Sequence, residues 1–373
     1  MGKRLNFWLA TATIIGTVFG AGILGLPYAI NKSGFLLGLL LTGFIAIGMT
    51  LLILYVAEIV LRSHRVNQLP GIVKRYLGVK WSKLMFFLFT VGVYGALISY
   101  IIGISSVLSL LTGLNQLFYQ SLIIVIGGLI VYLGLRMVQK AELLIVSTLI
   151  IVLVIICLLI SPQLNINNLS KFEWGNFFYP FGVIFFALTG YSVMPELEQM
   201  LTKQRTSIMK SVVTAMLICT SAYIFFTMVF IGVFGDSVAK VSTESLTGVI
   251  GLIGNLMAVV SMSGAFIGLS LALLDSYIKD AKLSRSKAWV MTLIIPYLIT
   301  VLLKPDFIQP ILITGSYTGT ITGFLIIATL IKARKTKGDK PAFVTPFGRV
   351  GMMGVAVLLL LGLLFTTLEL LGF

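Results

Sequence analysis

Long apolar stretches without a charged residue constrain this chain more than any other feature. Ten such runs occupy residues 5–31, 33–57, 84–135, 143–170, 174–195, 211–235, 245–274, 288–303, 307–331 and 350–368. A membrane-crossing helix needs roughly 20 mainly apolar residues, so the run at 84–135 is long enough for two. Residues 112–116, Thr-Gly-Leu-Asn-Gln, contain the turn-forming Gly and Asn that divide it. The sequence therefore predicts one all-α membrane domain, residues 1–373, with eleven transmembrane helices.

The composition excludes most soluble functions. Hydrophobic residues make up 58% of the chain and charged residues 10%, whereas soluble domains carry about 25% charged residues. This balance excludes a cytosolic enzyme, a nucleic-acid-binding protein and a disordered protein, so the net charge of +15 requires a membrane explanation. Two cysteines and the single His64 define no metal site and no disulfide framework. We expect no cofactor, no nucleic acid and no obligate protein partner.

The basic residues alternate between the two sides of the predicted membrane. With the N-terminus in the cytoplasm, 23 of the 27 Lys and Arg fall on the cytoplasmic side, where such residues are enriched. The other four are Lys32, Lys171, Lys240 and Lys304. We therefore expect a multi-pass protein of the plasma membrane, with its C-terminus outside. In the connection after span 2, the apolar pattern over residues 66–77 predicts a short helix on the membrane surface.

Two predicted spans contain Gly-rich interruptions with Pro at the same spacing. Span 1 has Gly22 to Pro27 and span 6 has Gly190 to Pro195. The two motifs are 168 residues, or five spans, apart, and an odd offset reverses direction across the membrane. Broken helices at matching positions of two halves are typical of inverted-repeat transporters. Small residues also allow close helix packing, and that simpler explanation stays open for either interruption alone.

The repeat hypothesis divides the chain into three parts. These are a first five-helix repeat at 5–160, a second and inverted repeat at 174–332, and an extra eleventh helix at 350–371.

Each interruption would expose backbone groups to a ligand. A half-helix that begins there offers free N–H groups, which suit a carboxylate, and one that ends there offers carbonyls, which suit an ammonium group or a bare cation. Both together fit a zwitterion, and an amino acid is the simplest. The predicted substrate contacts are Phe19, Gly20, Ala21, Gly22 and Ile23 in span 1, Ala187, Leu188, Thr189, Gly190 and Tyr191 in span 6, Tyr94 and Ser99 in span 3, and Phe266 in span 8.

These stretches resemble the amino acid/auxin permease family of the amino acid–polyamine–organocation superfamily. The resemblance lies in residues 14–28 of span 1, Leu77-Gly78, residues 94–103 of span 3 and residues 190–195 of span 6. Residues 266–275 of span 8 are similar to the tyrosine and tryptophan permeases of bacteria in that family, and the chain is nearest to bacterial or archaeal aromatic amino acid permeases. The resemblance implies a LeuT-type five-plus-five fold, an added eleventh span and alternating access.

The coupling ion is the least determined feature. Tyrosine-type permeases carry Thr-Ser before the Phe of the span 8 motif, whereas this chain has Gly264-Ala265. A hard cation needs several oxygen ligands, so the loss favours protons over sodium. Glu196 and Glu198, the carboxylates nearest a break, are the proton-carrier candidates. The sodium alternative uses the Val18 carbonyl with Ser261 or Ser263.

Two further acidic residues have a simpler explanation. Glu58 and Asp275 each lie four residues before a basic residue, Arg62 and Lys279, which is the spacing of an ion pair on a helix.

No nucleotide-binding loop occurs in the chain, so a gradient has to supply the energy. The sequence favours a secondary active transporter that imports a neutral, apolar or aromatic amino acid, with the lipid bilayer as its surroundings. A sodium-coupled amino acid symporter and a cation or nucleobase carrier on the same fold remain alternatives. An intramembrane enzyme lacks the convergent acidic, His and Ser residues it would need, and a channel would show a repeated filter segment or charge rings.

Overall fold

The computed structural model describes residues 3–20, 22–63, 68–134, 137–200, 207–336 and 341–371. Within these ranges the chain forms helices and no strand. The α-helices are α1 (Lys3–Val18), α2 (Gly22–Ser33), α3 (Phe35–Ser63), α4 (Leu69–Leu77), α5 (Val79–Thr112), α6 (Gln116–Leu133), α7 (Met137–Ile160), α8 (Phe181–Ala187), α9 (Met194–Met200), α10 (Ser207–Phe234), α11 (Gly248–Lys279), α12 (Arg285–Leu303), α13 (Ile308–Ile313), α14 (Thr320–Lys335) and α15 (Gly348–Leu370). A π-helical segment, Thr314–Gly319, joins α13 to α14.

Eight helical spans among the described residues are long and apolar enough to cross a membrane, or nine if the bent pair α1–α2 counts as one. Two further apolar segments, Ser147–Gln163 and Phe181–Val193, are shorter. Large apolar side chains such as Leu110, Val125 and Leu302 are exposed, as expected of surfaces that face lipid. These helices establish a multi-span membrane protein by length and composition.

The longest apolar run divides where its sequence predicts. Gly113, with φ of 75°, ends α5 in the left-handed conformation, and its N–H donates to the Ser109 carbonyl. Asn115 then begins α6, because its side chain accepts a hydrogen bond from the Leu117 N–H. A left-handed glycine and an Asn N-cap satisfy helix-end groups that would otherwise lack partners.

The short helix α4 differs from its prediction. Its apolar residues Ile72 and Val73 are buried, and the helix packs against α5 and α14. The amphipathic face therefore covers neighbouring helices, whereas the sequence predicted that it would lie on the lipid surface. The pattern of apolar residues identified the buried face of the helix correctly. The pattern does not show whether protein or lipid covers that face.

A buried carboxylate joins three distant segments at one end of the bundle. Glu58 is fully buried on α3, and it pairs with Arg62 at 2.9 Å and with Arg334 of α14 at 2.7 Å. The backbone N–H and the hydroxyl of Thr345 also donate to it, at 2.9 and 2.7 Å. The predicted pair with Arg62 is present, but it is one part of a larger network. Asp275 and Lys279 form the other predicted pair, at 3.0 Å near the surface.

We predict that Glu58→Gln strongly destabilises the protein. The substitution leaves Arg334 and Arg62 without their counter-charge, and breaking a buried pair in this way costs about 3–5 kcal/mol. Melting of the detergent-solubilised protein measures the effect. Lys279→Ala is the control, since an exposed pair contributes less than about 1 kcal/mol. Equal melting temperatures for the two variants would show that the network carries no special stability.

Candidate functional site

The chain leaves α-helical geometry at both Gly-rich interruptions. α1 ends at Val18 and α2 begins at Gly22, with a bend of 58° between them. In the second interruption α8 ends at Ala187, and a single 3-10 turn at Tyr191–Val193 precedes α9. Non-helical backbone at membrane depth is tolerated where protein or a wet cavity surrounds it. These two breaks therefore form the candidate site.

The two breaks contact each other in a reciprocal way. A Cβ atom on Gly22 would lie 2.6 Å from the Ala187 Cα, and one on Gly190 would lie 2.7 Å from the Val18 Cγ2. Both distances are too short for a side chain. Each break thus places its glycine against the last residue of the opposite half-helix. Glycine is needed at position 22 because the Ala187 backbone occupies the space of a Cβ, whereas at position 190 the Val18 side chain would have to move.

The carbonyls at the breaks already have a hydrogen-bond donor. The Tyr223 hydroxyl, from α10, donates to the Val18 carbonyl at 2.7 Å and to the Ala187 carbonyl at 3.2 Å. Val18 also accepts from the Gly20 N–H at 2.9 Å. The sequence predicted free carbonyls at these helix ends, and in this structure two of them, Val18 and Ala187, each accept the Tyr223 hydroxyl. The first N–H groups of α2, from Gly22 onward, have no acceptor within their own helix.

Tyr223 is the functional candidate that sequence reasoning missed. Its side chain is 1% exposed, and its ring centroid lies 5.1 Å from that of Phe19. Tyr223 sits in an uninterrupted apolar run with no Gly or Pro nearby, so nothing local marks it. Only the packing of α10 against α1 brings it to the breaks.

The side chain of α5 that reaches the first break belongs to Tyr100. Its hydroxyl lies 3.5 Å from the position of a Cβ on Gly20, and the residue is buried. The neighbouring Ser99 instead donates to the Phe307 carbonyl at 3.0 Å. Successive side chains on a helix point about 100° apart. Only the packed structure therefore shows whether Ser99 or Tyr100 faces the break.

The other predicted substrate contacts are spread around the breaks. Tyr191 is half-buried at the start of the 3-10 turn Tyr191–Val193, and Thr189 donates to the Phe185 carbonyl at 2.9 Å. The Tyr94 hydroxyl contacts the Tyr277 hydroxyl at 2.9 Å and donates to the Met291 carbonyl at 2.7 Å, so it joins α5 to α11 and α12.

The Phe266 ring packs against α6, where a Cβ on Gly127 would lie 2.8 Å from it. Phe266 lies on α11, and this contact joins it to α6 rather than to a break. The structure therefore brings Phe19, Gly20, Gly22, Ala187 and Gly190 together, whereas Tyr94, Ser99 and Phe266 contact other partners.

The candidates for ion coupling lie on two helices. Glu198 is buried on α9, close in sequence to the second break, and Ser261 and Ser263 are partly buried on α11. Ala21 and the side chain of Glu196 lie outside the described residues. No group of three His, Cys, Asp or Glu placed to hold a metal occurs in the part of the chain that the structure describes.

A family model for tryptophan/tyrosine permeases matches residues 3–368. The chain belongs to the tryptophan/tyrosine permease family. The predicted kinship with aromatic amino acid permeases is thereby confirmed, and the protein is an amino acid permease rather than an enzyme. A comparison with curated proteins finds no relative that matches.

The fold is similar to that of MhsT in its crystal structure with L-phenylalanine. The TM-score is 0.69 over 99% of this chain and 98% of that chain, at 15% sequence identity. At so low an identity the likeness concerns the fold alone. The chain therefore shares the fold of MhsT, a LeuT-fold transporter.

We predict that Gly22→Ala lowers amino acid uptake at least about ten-fold. The added methyl group collides with the Ala187 backbone and forces the two breaks apart. Uptake into proteoliposomes measures the loss. Gly43→Ala is the matched control on α3, because no atom lies within 4 Å of a Cβ there. Normal uptake by a correctly inserted Gly22→Ala protein would contradict the proposed contact.

Proposed function

We propose that this permease is a secondary active transporter that imports a neutral, apolar or aromatic amino acid by alternating access. The reciprocal contact of the two breaks carries the proposal, since it brings helix-start N–H groups and helix-end carbonyls from two chain segments into one place. The name of the family and the L-phenylalanine in the MhsT complex favour an aromatic substrate.

The substrate would bind as a zwitterion. Its carboxylate would accept hydrogen bonds from the N–H groups of Gly22 and Ile23, with the Tyr100 hydroxyl beside Gly20. Its ammonium group would be received by the carbonyls of Leu188 and Thr189, since the Ala187 carbonyl already accepts from Tyr223. The ring of an aromatic side chain would contact Phe19 or Tyr191. Backbone groups serve these roles because no basic side chain occurs within the apolar runs that form the two broken spans.

The proposed topology has eleven spans, with residues 5–160 and 174–332 as inverted repeats and 350–371 as the extra helix. The reciprocal placement of Gly22 on Ala187 and Gly190 on Val18 supports it, because a two-fold relation repeats a contact with the partners exchanged. The distribution of Lys and Arg supports a cytoplasmic N-terminus, an outer C-terminus and insertion in the plasma membrane.

We favour protons as the coupling ion, with sodium as the alternative. The Gly264-Ala265 pair removes two hydroxyl ligands, which leaves Ser261, Ser263 and the Val18 carbonyl for sodium. Of the two predicted proton carriers, Glu198 is buried beside the second break, while the side chain of Glu196 is not described.

A third carboxyl, Glu244, lies in the turn Ser242–Ser245 between α10 and α11. Burial raises the pKa of this carboxyl, and a hydrogen bond with Ser106 opposes the shift. Its Oε1 has no hydrogen-bond partner among the described residues. In the proposed topology this turn faces outside, where an importer would take up its proton.

Uptake of labelled tryptophan, tyrosine and phenylalanine into proteoliposomes tests the function. We expect accumulation of at least one of them without sodium when an inward proton gradient is imposed. Competition by each standard amino acid then gives the specificity. Uptake that requires sodium and ignores the proton gradient would overturn proton coupling, and failure of every amino acid to be transported or to compete would overturn the substrate class.

We predict that Glu244→Gln flattens the pH profile of uptake. A raised pKa keeps the wild-type carboxyl protonated to higher pH, and the proton is lost as the pH rises through that pKa. Wild-type uptake should therefore fall over this range, whereas the neutral glutamine cannot titrate. Uptake measured from acidic to neutral pH compares the two.

Asp236→Asn is the control for the Glu244 measurement. A hydrogen bond from Lys171 lowers the pKa of Asp236, which lies on the surface. Its titration is confined to lower pH, so its variant should keep the wild-type profile. A Glu244→Gln profile that also matches wild type would remove Glu244 from the proton pathway.

A further inference from the structure

We propose that the Tyr223 hydroxyl occupies the position of a monovalent cation between the two broken helices, and that this permease therefore needs no sodium ion there. The inference rests on the proposed function and deepens it, because it names the residue that would replace a sodium ion at the breaks. It rests on the bridge from one hydroxyl to two carbonyls that belong to different half-helices.

The place of the hydroxyl is one in which a cation would be stabilised. The Val18 and Ala187 carbonyls stand at the C-terminal ends of α1 and α8, and helix dipoles place negative partial charge at such ends. Both oxygens lie in the buried interior, where an unpaired carbonyl is costly. The Val18 carbonyl also accepts from the Gly20 N–H, but the Ala187 carbonyl requires a hydrogen-bond donor or a positive ion, and Tyr223 supplies the donor to both.

The tyrosine also leaves no room for an ion. Its hydroxyl is 2.7 Å from one carbonyl and 3.2 Å from the other, so the oxygen itself stands where an ion would make both contacts. A single hydroxyl proton serves the two acceptors, with the shorter bond to Val18. The ring is buried beside Phe19, and this packing holds the hydroxyl in place.

The bridge links both breaks to α10. When the substrate site opens, α1 and α8 cannot separate without breaking at least one of the two hydrogen bonds. Tyr223 is therefore a positioning residue, which acts on the substrate through the backbone of the breaks. A tyrosine that merely filled space would be replaceable by phenylalanine without loss of transport.

Two substitutions separate these roles. Tyr223→Phe keeps the ring and removes the donor, so we expect substrate affinity to fall about ten-fold, with no response to sodium because the ring still excludes an ion. Tyr223→Ser removes the ring and leaves one hydroxyl facing two carbonyls. We expect this variant to bind sodium, and to show a higher melting temperature in sodium chloride than in choline chloride.

Phe226→Ser is the matched control. Phe226 is an equally buried aromatic residue one turn away on α10, so its loss makes a comparable cavity without the two bridged carbonyls. We expect its melting temperature, and that of the wild type, to be the same in both salts. Uptake that sodium stimulates in Tyr223→Ser, but not in Phe226→Ser or the wild type, would further support the inference.

Three results would overturn the inference. They are wild-type kinetics in Tyr223→Phe, a sodium-specific stabilisation of the wild type, and a folded Tyr223→Ser that does not respond to sodium. Tyr223→Phe keeps the test decisive if the serine variant fails to fold. The melting measurements need no substrate, so a mistaken assignment of the transported amino acid would not disturb them.

Discussion

Backbone groups inside a membrane bundle need hydrogen-bond partners, and the two helix breaks of this permease find one in a neighbouring helix. The Tyr223 hydroxyl satisfies carbonyls of both breaks at once. Glycines at positions 22 and 190 let the two segments approach closely enough for this to happen. The candidate site depends on that combination, because the helix-start N–H groups of α2 are brought to the same gap only while the breaks stay in contact.

The breaks and the Glu58 network are connected through α3. One end of this helix is held by Glu58, which binds arginines from α3 and α14 and the segment before α15. Farther along the same helix, Ile53 lies 3.4 Å from the position of a Cβ on Gly190. This helix is thus anchored by buried charge at one end and packed on a break in its middle.

The proposal of proton coupling rests on the same local chemistry. Carbonyls that end half-helices attract positive charge, and a transporter can satisfy them with an ion or with a donor of its own. In this permease a tyrosine occupies the bridging position, while α11 lacks two hydroxyls that a sodium site of this family type would use. Under that proposal, the carboxyls that would carry the proton are Glu198, close in sequence to a break, and Glu244, in the turn between α10 and α11.

The sequence alone determined the helical membrane class, the turn at Gly113 and Asn115, and the positions of the two breaks. These features depend on local properties, namely apolar length, helix-end chemistry and the conformational freedom of glycine. Only the tertiary structure decided that Tyr100 rather than Ser99 reaches a break, that α4 covers protein, and that Arg334 reaches Glu58 across 276 residues of sequence. The Tyr223 hydroxyl donates to the Val18 carbonyl across 205 residues of sequence. Buried acceptors take whichever donor the neighbouring helix presents, and neither the neighbour nor its rotation is recorded in any local pattern of residues.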